Sequence, residues 1–288
     1  MISQTRYPTT TWLTPRSIAE RVSHRMVLRR RLPTPFKQTQ IYVSSEAGLK
    51  YLWPRLDDID PVLLGLAYDL VQTGSAVWDI GANTGLFTFA SATAAGATGS
   101  VLAVEPDTVM VELLRRSSRL PGPRAAIDIL PAAVTAASGV TRFCIASRNR
   151  ATNHIEGLGS SQTGGVRAVQ VVPTVSLDLL LEYFAAPDIV KIDVEGAEHL
   201  VLEGGAQLLS DVRPIIICEV AAENTATVTT VLREHDYQIF DGDQTIGTRP
   251  SVDAAPWTTL AIPAEHPDRR MSPDSKVNRS DTSYGVDS

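Results

Sequence analysis

The chain is short of the residues that staple a fold or carry it through a lipid bilayer. It has two cysteines, Cys144 and Cys218. Two thiols are too few for a disulfide framework, and both stand in apolar, strand-like runs where a cysteine reads as a small buried hydrophobe. That usage fits a reduced, cytoplasmic protein. The longest weakly apolar stretch, 89–104, is broken by Gly96 and Gly99, so no transmembrane helix is expected. A continuous apolar core is missing near the N-terminus, which argues against a secretory signal. Positive charge is outnumbered too, with 26 Lys and Arg against 32 Asp and Glu. The formal net charge of −6 argues against a general nucleic-acid binder.

Two phosphate-binding patterns are also missing. Gly81-x-x-x-Gly85 is not a dinucleotide fingerprint, because Asn83 stands where the second glycine belongs. No Gly-Lys-Ser/Thr follows, so it is not a P-loop. A pyrophosphate loop needs bare backbone at that second position. This loop offers an amide and an acid, Asp79. That suits a ligand with a cationic group and hydroxyls better than a polyanion.

What is present is a run from Val77 to Phe89 around which the chain is organised. Val77, Trp78 and Ile80 read as a short buried strand. Gly81 and Gly85 permit a tight turn and close ligand approach. Leu86, Phe87 and Phe89 open the apolar face of a helix. A plain strand–turn–helix corner would explain this much. The next apolar run, Val101 to Val104, ends in Glu105-Pro106. Glu105 follows the turn by about twenty residues, the spacing of a carboxylate that accepts ribose hydroxyls. Together the two signals point to a bound nucleoside.

The rest of the chain is consistent with an α/β fold. Helical patterns at 62–72, 107–119, 195–209 and 225–235 alternate with apolar runs at 126–134, 189–193, 215–220, 237–241 and 258–262, which indicates a parallel, doubly wound sheet. Runs at 139–146 and 166–172 read as paired strands around a polar loop, 147–165, that carries His154 and Glu156. That loop reads equally as a mobile segment and as a substrate lid. The first forty residues hold eight Arg or Lys against Glu20 alone. They read as a basic arm with a helix from 15 to about 32. A solvated face is the plainer reading of its arginines; contact with an anionic lipid surface or a partner subunit is the alternative. The expected organisation is a basic arm and helix over 1–60, one catalytic domain over 61–263, and a disordered polar tail over 264–288.

Buried strands have little reason to end in acids, yet Asp79, Glu105, Asp193 and Glu219 stand at four carboxyl ends. Ligands of open α/β sheets lie there. The blocks WDIGANTGLFTF (78–89), VLAVEPD (101–107) and IVKIDVEGAEHLVLEGG (189–205) resemble the FkbM family of S-adenosylmethionine-dependent methyltransferases, and the resemblance covers roughly 68–262. It implies a Rossmann-like class I methyltransferase fold with a seven-stranded, mostly parallel sheet flanked by helices. It implies S-adenosyl-L-methionine as cofactor, held by Asp79, Gly81, Asn83, Gly85 and Glu105 with the adjoining Ala82 and Pro106. It also implies methylation of a hydroxyl on a sugar, glycolipid or polyketide-type natural product. One departure from the family is visible. Thr135-Ala136-Ala137-Ser138 before Gly139 lacks an acid, so main-chain groups around Ala133 to Thr135 would have to serve the adenine side.

Methyl transfer is mainly a positioning task, assisted by a base near the acceptor hydroxyl. Asp193 is the first candidate, because its strand should neighbour the glycine-turn strand. Glu195 and Glu219 are the second candidates, and positioning without proton transfer is the competing role. Lys191 shares the parity of Asp193 and is expected to pair with one of the acids. Glu195 and Glu198 open a helix, where acids compensate the dipole, so no metal is expected. His199 and His235 read as surface residues. The rivals are an NAD-dependent oxidoreductase, which Asn83 argues against, and a non-catalytic nucleoside-binding module, which the intact strand-end acids argue against. Expected partners are a small-molecule or glycan acceptor and no nucleic acid, with peripheral membrane contact through the arm as the alternative above.

Overall fold

The computed structural model describes residues 26–36, 39–52, 56, 59–159, 165–245 and 249–265. Most of the basic arm and nearly all of the polar tail lie outside these residues.

The described chain opens with a hairpin of β1 (Val27–Arg31) and β2 (Gln40–Ser44), antiparallel with Arg29 opposite Tyr42. This corrects the C-terminal end of the helix expected from 15 to about 32, where Val27–Arg31 is extended; residues 15–25 lie outside the described residues. Along β1 exposure alternates, with Leu28 and Arg30 less exposed than Val27, Arg29 and Arg31. That period of two is a strand's. Pro33 also biases Leu32 away from helical backbone.

Helix α1 (Pro61–Leu70) starts at Asp60, whose side chain accepts from the Leu63 amide at 3.1 Å. Then follow β3 (Ala76–Ile80), α2 (Leu86–Ala95), β4 (Ser100–Val104), α3 (Thr108–Ser118) and β5 (Ala126–Leu130). An inserted arm contains β6 (Ala133–Val134), β7 (Gly139–Ala146), β8 (His154–Ile155) and β9 (Val166–Val175). Helix α4 (Leu177–Leu181), β10 (Ile189–Ile192), α5 (Glu198–Glu203), β11 (Ile215–Glu219), α6 (Thr225–Glu234), β12 (Tyr237–Asp241) and β13 (Thr258–Pro263) complete the order.

Seven strands form the main sheet in the order β12-β13-β11-β10-β3-β4-β5. Only β13 runs antiparallel to its neighbours. The sequence of strands reverses between β3 and β10, and a crevice is expected there. Side chains of β3 alternate across the sheet. Val77 packs in the core beneath α1, α2 and the hairpin, while Trp78 and Ile80 pack beneath α4, α5 and α6. Leu32, Phe36, Ile41, Val43 and Leu56 join the first of these cores. The stretch from 26 to 60 is thus continuous with the domain that follows it.

Two expected elements are shorter than the sequence suggested. The run 126–134 breaks at Pro131, which has no amide for the ladder. Its second half becomes β6 and pairs with β9 in the smaller sheet β6-β9-β7-β8. The helix expected from 195 starts at Glu198, because Glu195 and Gly196 have φ of +51° and +97°. Among the described residues, no helix is long and apolar enough to cross a membrane.

Candidate active site

The turn after β3 is dictated by backbone packing. Gly81 has φ +76°, and a Cβ there would lie 1.8 Å from the carbonyl oxygen of Asp193. At Gly85, with φ +88°, a Cβ would lie 2.6 Å from Leu114 and 2.7 Å from Phe89. Both glycines are therefore required by the protein's own chain, before any ligand is considered. Asn83 between them has φ +51°, which asparagine tolerates better than most residues. Its amide donates to Glu105 Oε2 at 2.7 Å, and the Asp107 amide donates to Glu105 Oε1 at 2.8 Å. Glu105 is buried, and burial pushes its carboxyl up to about 8 against the pull of those two amides. Each oxygen keeps acceptor capacity, since a carboxylate oxygen has two lone pairs.

Beneath the turn lies a charged triad. Lys191 stands directly across from Asp79 in the paired strands. Its Nζ donates to the Gly81 carbonyl at 2.9 Å and lies 3.3 Å from both Asp79 Oδ1 and Asp193 Oδ2. Thr88 Oγ1 donates to Asp79 Oδ2 at 2.5 Å. Burial opposes the Lys191 charge, but Asp193, Asp79 and Glu219 outweigh it and raise the pKa. The pairing expected of Lys191 is therefore made twice, once on each strand.

Two connected cavities open over these residues. The first has an empty volume of about 540 Å³, and Gly81, Asn83, Glu105 and Pro106 line it. The second has about 650 Å³ and is lined by Ala82, Tyr51, Asp60, Lys191 and Glu219 among others. Asn83, Ala151, Asp193 and Glu195 border both. The structure thus brings together seven of the sequence candidates around one continuous crevice, and Glu219 joins them in the second cavity. Asp79 and Gly85 line neither cavity. Asp79 is fully buried and acts on the crevice only through Lys191.

Residues 79–239 match the family described as Methyltransferase FkbM domain, more than half of the chain. The chain belongs to the FkbM methyltransferase family. It is an S-adenosylmethionine-dependent methyltransferase, and both rival readings fall. Similar solved structures include a Methyltransferase FkbM from Methylobacillus flagellatus KT, at 14% identity and TM-score 0.36, covering 69% of this chain and 49% of that one. A SAM-dependent O-methyltransferase from Thermotoga maritima is 15% identical with TM-score 0.38, covering 72% and 65%. A precorrin-6y C5,15-methyltransferase from Geobacter metallireducens GS-15 is 14% identical with TM-score 0.38, covering 71% and 86%. No curated protein matches.

The donor of this FkbM enzyme fits the first cavity on two observations. The carboxylate of Glu105 faces it, and Asn83 Oδ1 is buried without a hydrogen-bond partner. Both are acceptors that ribose hydroxyls or a cationic group would satisfy. The far wall, where the family's acid is missing, is apolar: Ala133, Val134, Phe143 and Ile155 line it. The Thr135 amide suggested for the adenine is already bonded to the Val175 carbonyl at 2.9 Å.

On the other side, burial pushes Glu195 up to about 8, helped by the neighbouring Asp193, Glu219 and Glu198. Glu219 rises to about 7 through burial and then Asp193, with Lys191 pulling the other way. Glu198 is not a ligand candidate. It accepts from the Gly196 amide at 2.7 Å and from Asn224 Nδ2, locking the turn 193–196. Among the described residues no three His, Cys, Asp or Glu side chains are grouped to hold a metal.

Sequence reasoning missed one buried network. Arg150 Nη1 donates to Asp107 Oδ2 at 2.6 Å, Arg150 Nε pairs with Glu46, and Asn153 Nδ2 also donates to Asp107 Oδ2. It ties the inserted arm and the N-terminal segment to α3 at the rim of the first cavity. A polar loop such as 147–165 shows no pattern from which a partner 104 residues away is legible. His154, suspected of facing substrate, instead sits buried in β8 opposite Cys144.

Proposed function

We propose that this enzyme methylates a hydroxyl group of a sugar, glycolipid or polyketide-type natural product. When bound, S-adenosylmethionine supplies an electrophilic methyl group. The chain's own tasks are to hold the donor, align the acceptor oxygen and take its proton. Glu105 and Asn83 hold the ribose side, Gly81 and Pro106 shape the pocket around it, Ala82 borders the adjoining second cavity, and Asp79 steadies Lys191 from below. Gly85 fixes the turn.

The observation that carries this reading is Glu195, which borders both cavities with a carboxyl poised close to neutral pH. A base works best when its pKa lies near the working pH. Glu219, also near neutral, stands farther into the second cavity. Asp193 is held by Lys191, which suits it to positioning more than to proton transfer. Incubation with deuterated cofactor and a panel of hydroxylated acceptors, read by mass spectrometry, tests the proposal. Label on oxygen supports it; label confined to nitrogen, or none on any acceptor, sinks it.

We also infer a cytoplasmic location from the two free, buried thiols; a solvated face stays the plainer reading of the basic arm, with peripheral lipid contact as the alternative. Co-sedimentation of full-length and arm-deleted protein with anionic vesicles tests the latter, and equal binding removes it.

A further inference from the structure

The crevice does not end at Glu219. A third cavity, with an empty volume of about 690 Å³, adjoins the second through Asp60, Leu63, Lys191 and Glu219. It extends over the carboxyl ends of β10 and β11 to Trp257, Thr258 and Asp243. Donor binding as placed above does not use it.

Its lining combines two features. Trp257 is 56% exposed although it is a large apolar ring. Three carboxylates, Asp60, Glu219 and Asp243, surround the same space. Asp60 is held there by an uncommon backbone, φ +131°, and one of its oxygens caps α1. Such strain in a non-glycine residue persists where the surrounding structure enforces it, often at ligand sites. Lys191 is the cation lining this cavity among the described residues, and Gly81, Asp79 and Asp193 already engage its ammonium. A phosphate or carboxylate entering here would meet like charge, with no second Lys or Arg among the described lining residues.

We propose that this third cavity is the acceptor's recognition subsite and that it takes an uncharged, polyhydroxylated ring of the sugar type. The indole face of Trp257 offers a flat apolar platform for the ring's C–H face. Asp243, Asp60 and Glu219 are acceptors for its hydroxyl hydrogens. The adjoining second cavity then receives the hydroxyl that is methylated, next to Glu195. The inference rests on the hydroxyl-methylation reading and narrows it: phosphorylated sugars and plain apolar alcohols are excluded.

The test is binding, not turnover. Full-length protein saturated with S-adenosylhomocysteine is titrated with methyl glucoside, methyl mannoside and methyl rhamnoside, and in parallel with glucose phosphate and cyclohexanol. Saturation-transfer NMR reads which ligand protons touch the protein. At least one neutral glycoside should bind through its ring C–H protons. Trp257→Ala should weaken it roughly tenfold, Trp257→Phe should restore much of that loss, and Asp243→Asn should weaken it roughly threefold. S-adenosylhomocysteine affinity, measured on each variant, should stay unchanged and certifies the fold. Binding that ignores Trp257→Ala, failure of every neutral glycoside, or preference for glucose phosphate or cyclohexanol overturns the proposal. Glycoside binding without methyl transfer would instead defeat the hydroxyl reading and leave the subsite standing.

Discussion

The two ends of the crevice are built in different ways. On the donor side, position is set by backbone: Gly81 against the Asp193 carbonyl, and the Asn83 and Asp107 amides on Glu105. On the acceptor side, position is set by side chains that crowd like charges, with Glu195 and Glu219 both shifted toward neutrality. The proposed donor end thus depends on main-chain packing and main-chain hydrogen bonds. Lys191 belongs to both ends, since it lines the second cavity and holds the Gly81 carbonyl.

The sharpest way to break the comparison is to strike the donor side at its backbone. Gly81→Val should prevent folding, because a Cβ cannot coexist with the Asp193 carbonyl at 1.8 Å. Gly157→Ala is the control: φ is +88° but nothing lies within 4 Å, so the cost should be about 1 kcal/mol. Thermal melts of both variants decide it, and a folded, stable Gly81→Val would show that the turn is not constrained as described.

Next in size is Lys191→Met. It leaves Asp79 fully buried without its cation, a loss of about 3–5 kcal/mol by urea unfolding. A loss near zero would mean Lys191 is not integral to the crevice floor.

Glu195→Gln should then lower kcat by roughly a hundredfold or more with cofactor affinity unchanged. Turnover of wild type should rise with pH toward about 8, as Glu195 ionises. If the two proteins share one pH profile, Glu195 is not the base.

The last effect is the pH dependence of stability. Glu105 ionises near 4.5 when unconstrained and about 8 in the fold. Between those values the folded chain holds the extra proton. Its contribution to stability is therefore complete below about pH 4.5 and fades as pH rises to about 8. Melting temperature of the cofactor-free protein should decline across that window, and Glu105→Gln should flatten the decline.

The turn after β3 and its carboxylate partner were largely legible in the sequence because their signals are local. Gly81, Asn83, Gly85 and Glu105 stand within a short stretch whose spacing has few physical explanations. The sheet was legible for the same reason, since each apolar run ends in a turn signal. Asp79 was placed at the right strand end but given a ligand-facing role, because a sequence does not show that Lys191 and Thr88 enclose it. Arg150 and Trp257 were invisible as site residues. Both reach the crevice only through long-range packing, Arg150 by way of Glu46 and Asp107 and Trp257 from the turn before β13. The basic run before Pro33 misled because Leu28 fits a helical stripe as well as a strand's alternation.

The most direct measurement is calorimetry of S-adenosylmethionine binding to wild type and Glu105→Gln near pH 7, in two buffers of different ionisation enthalpy. Wild type should release protons on binding, because ribose hydroxyls and a cation favour the ionised Glu105, and the variant should bind roughly tenfold more weakly with that release reduced. Equal affinity and equal proton release in the two proteins would contradict the assignment of this crevice to the methyl donor.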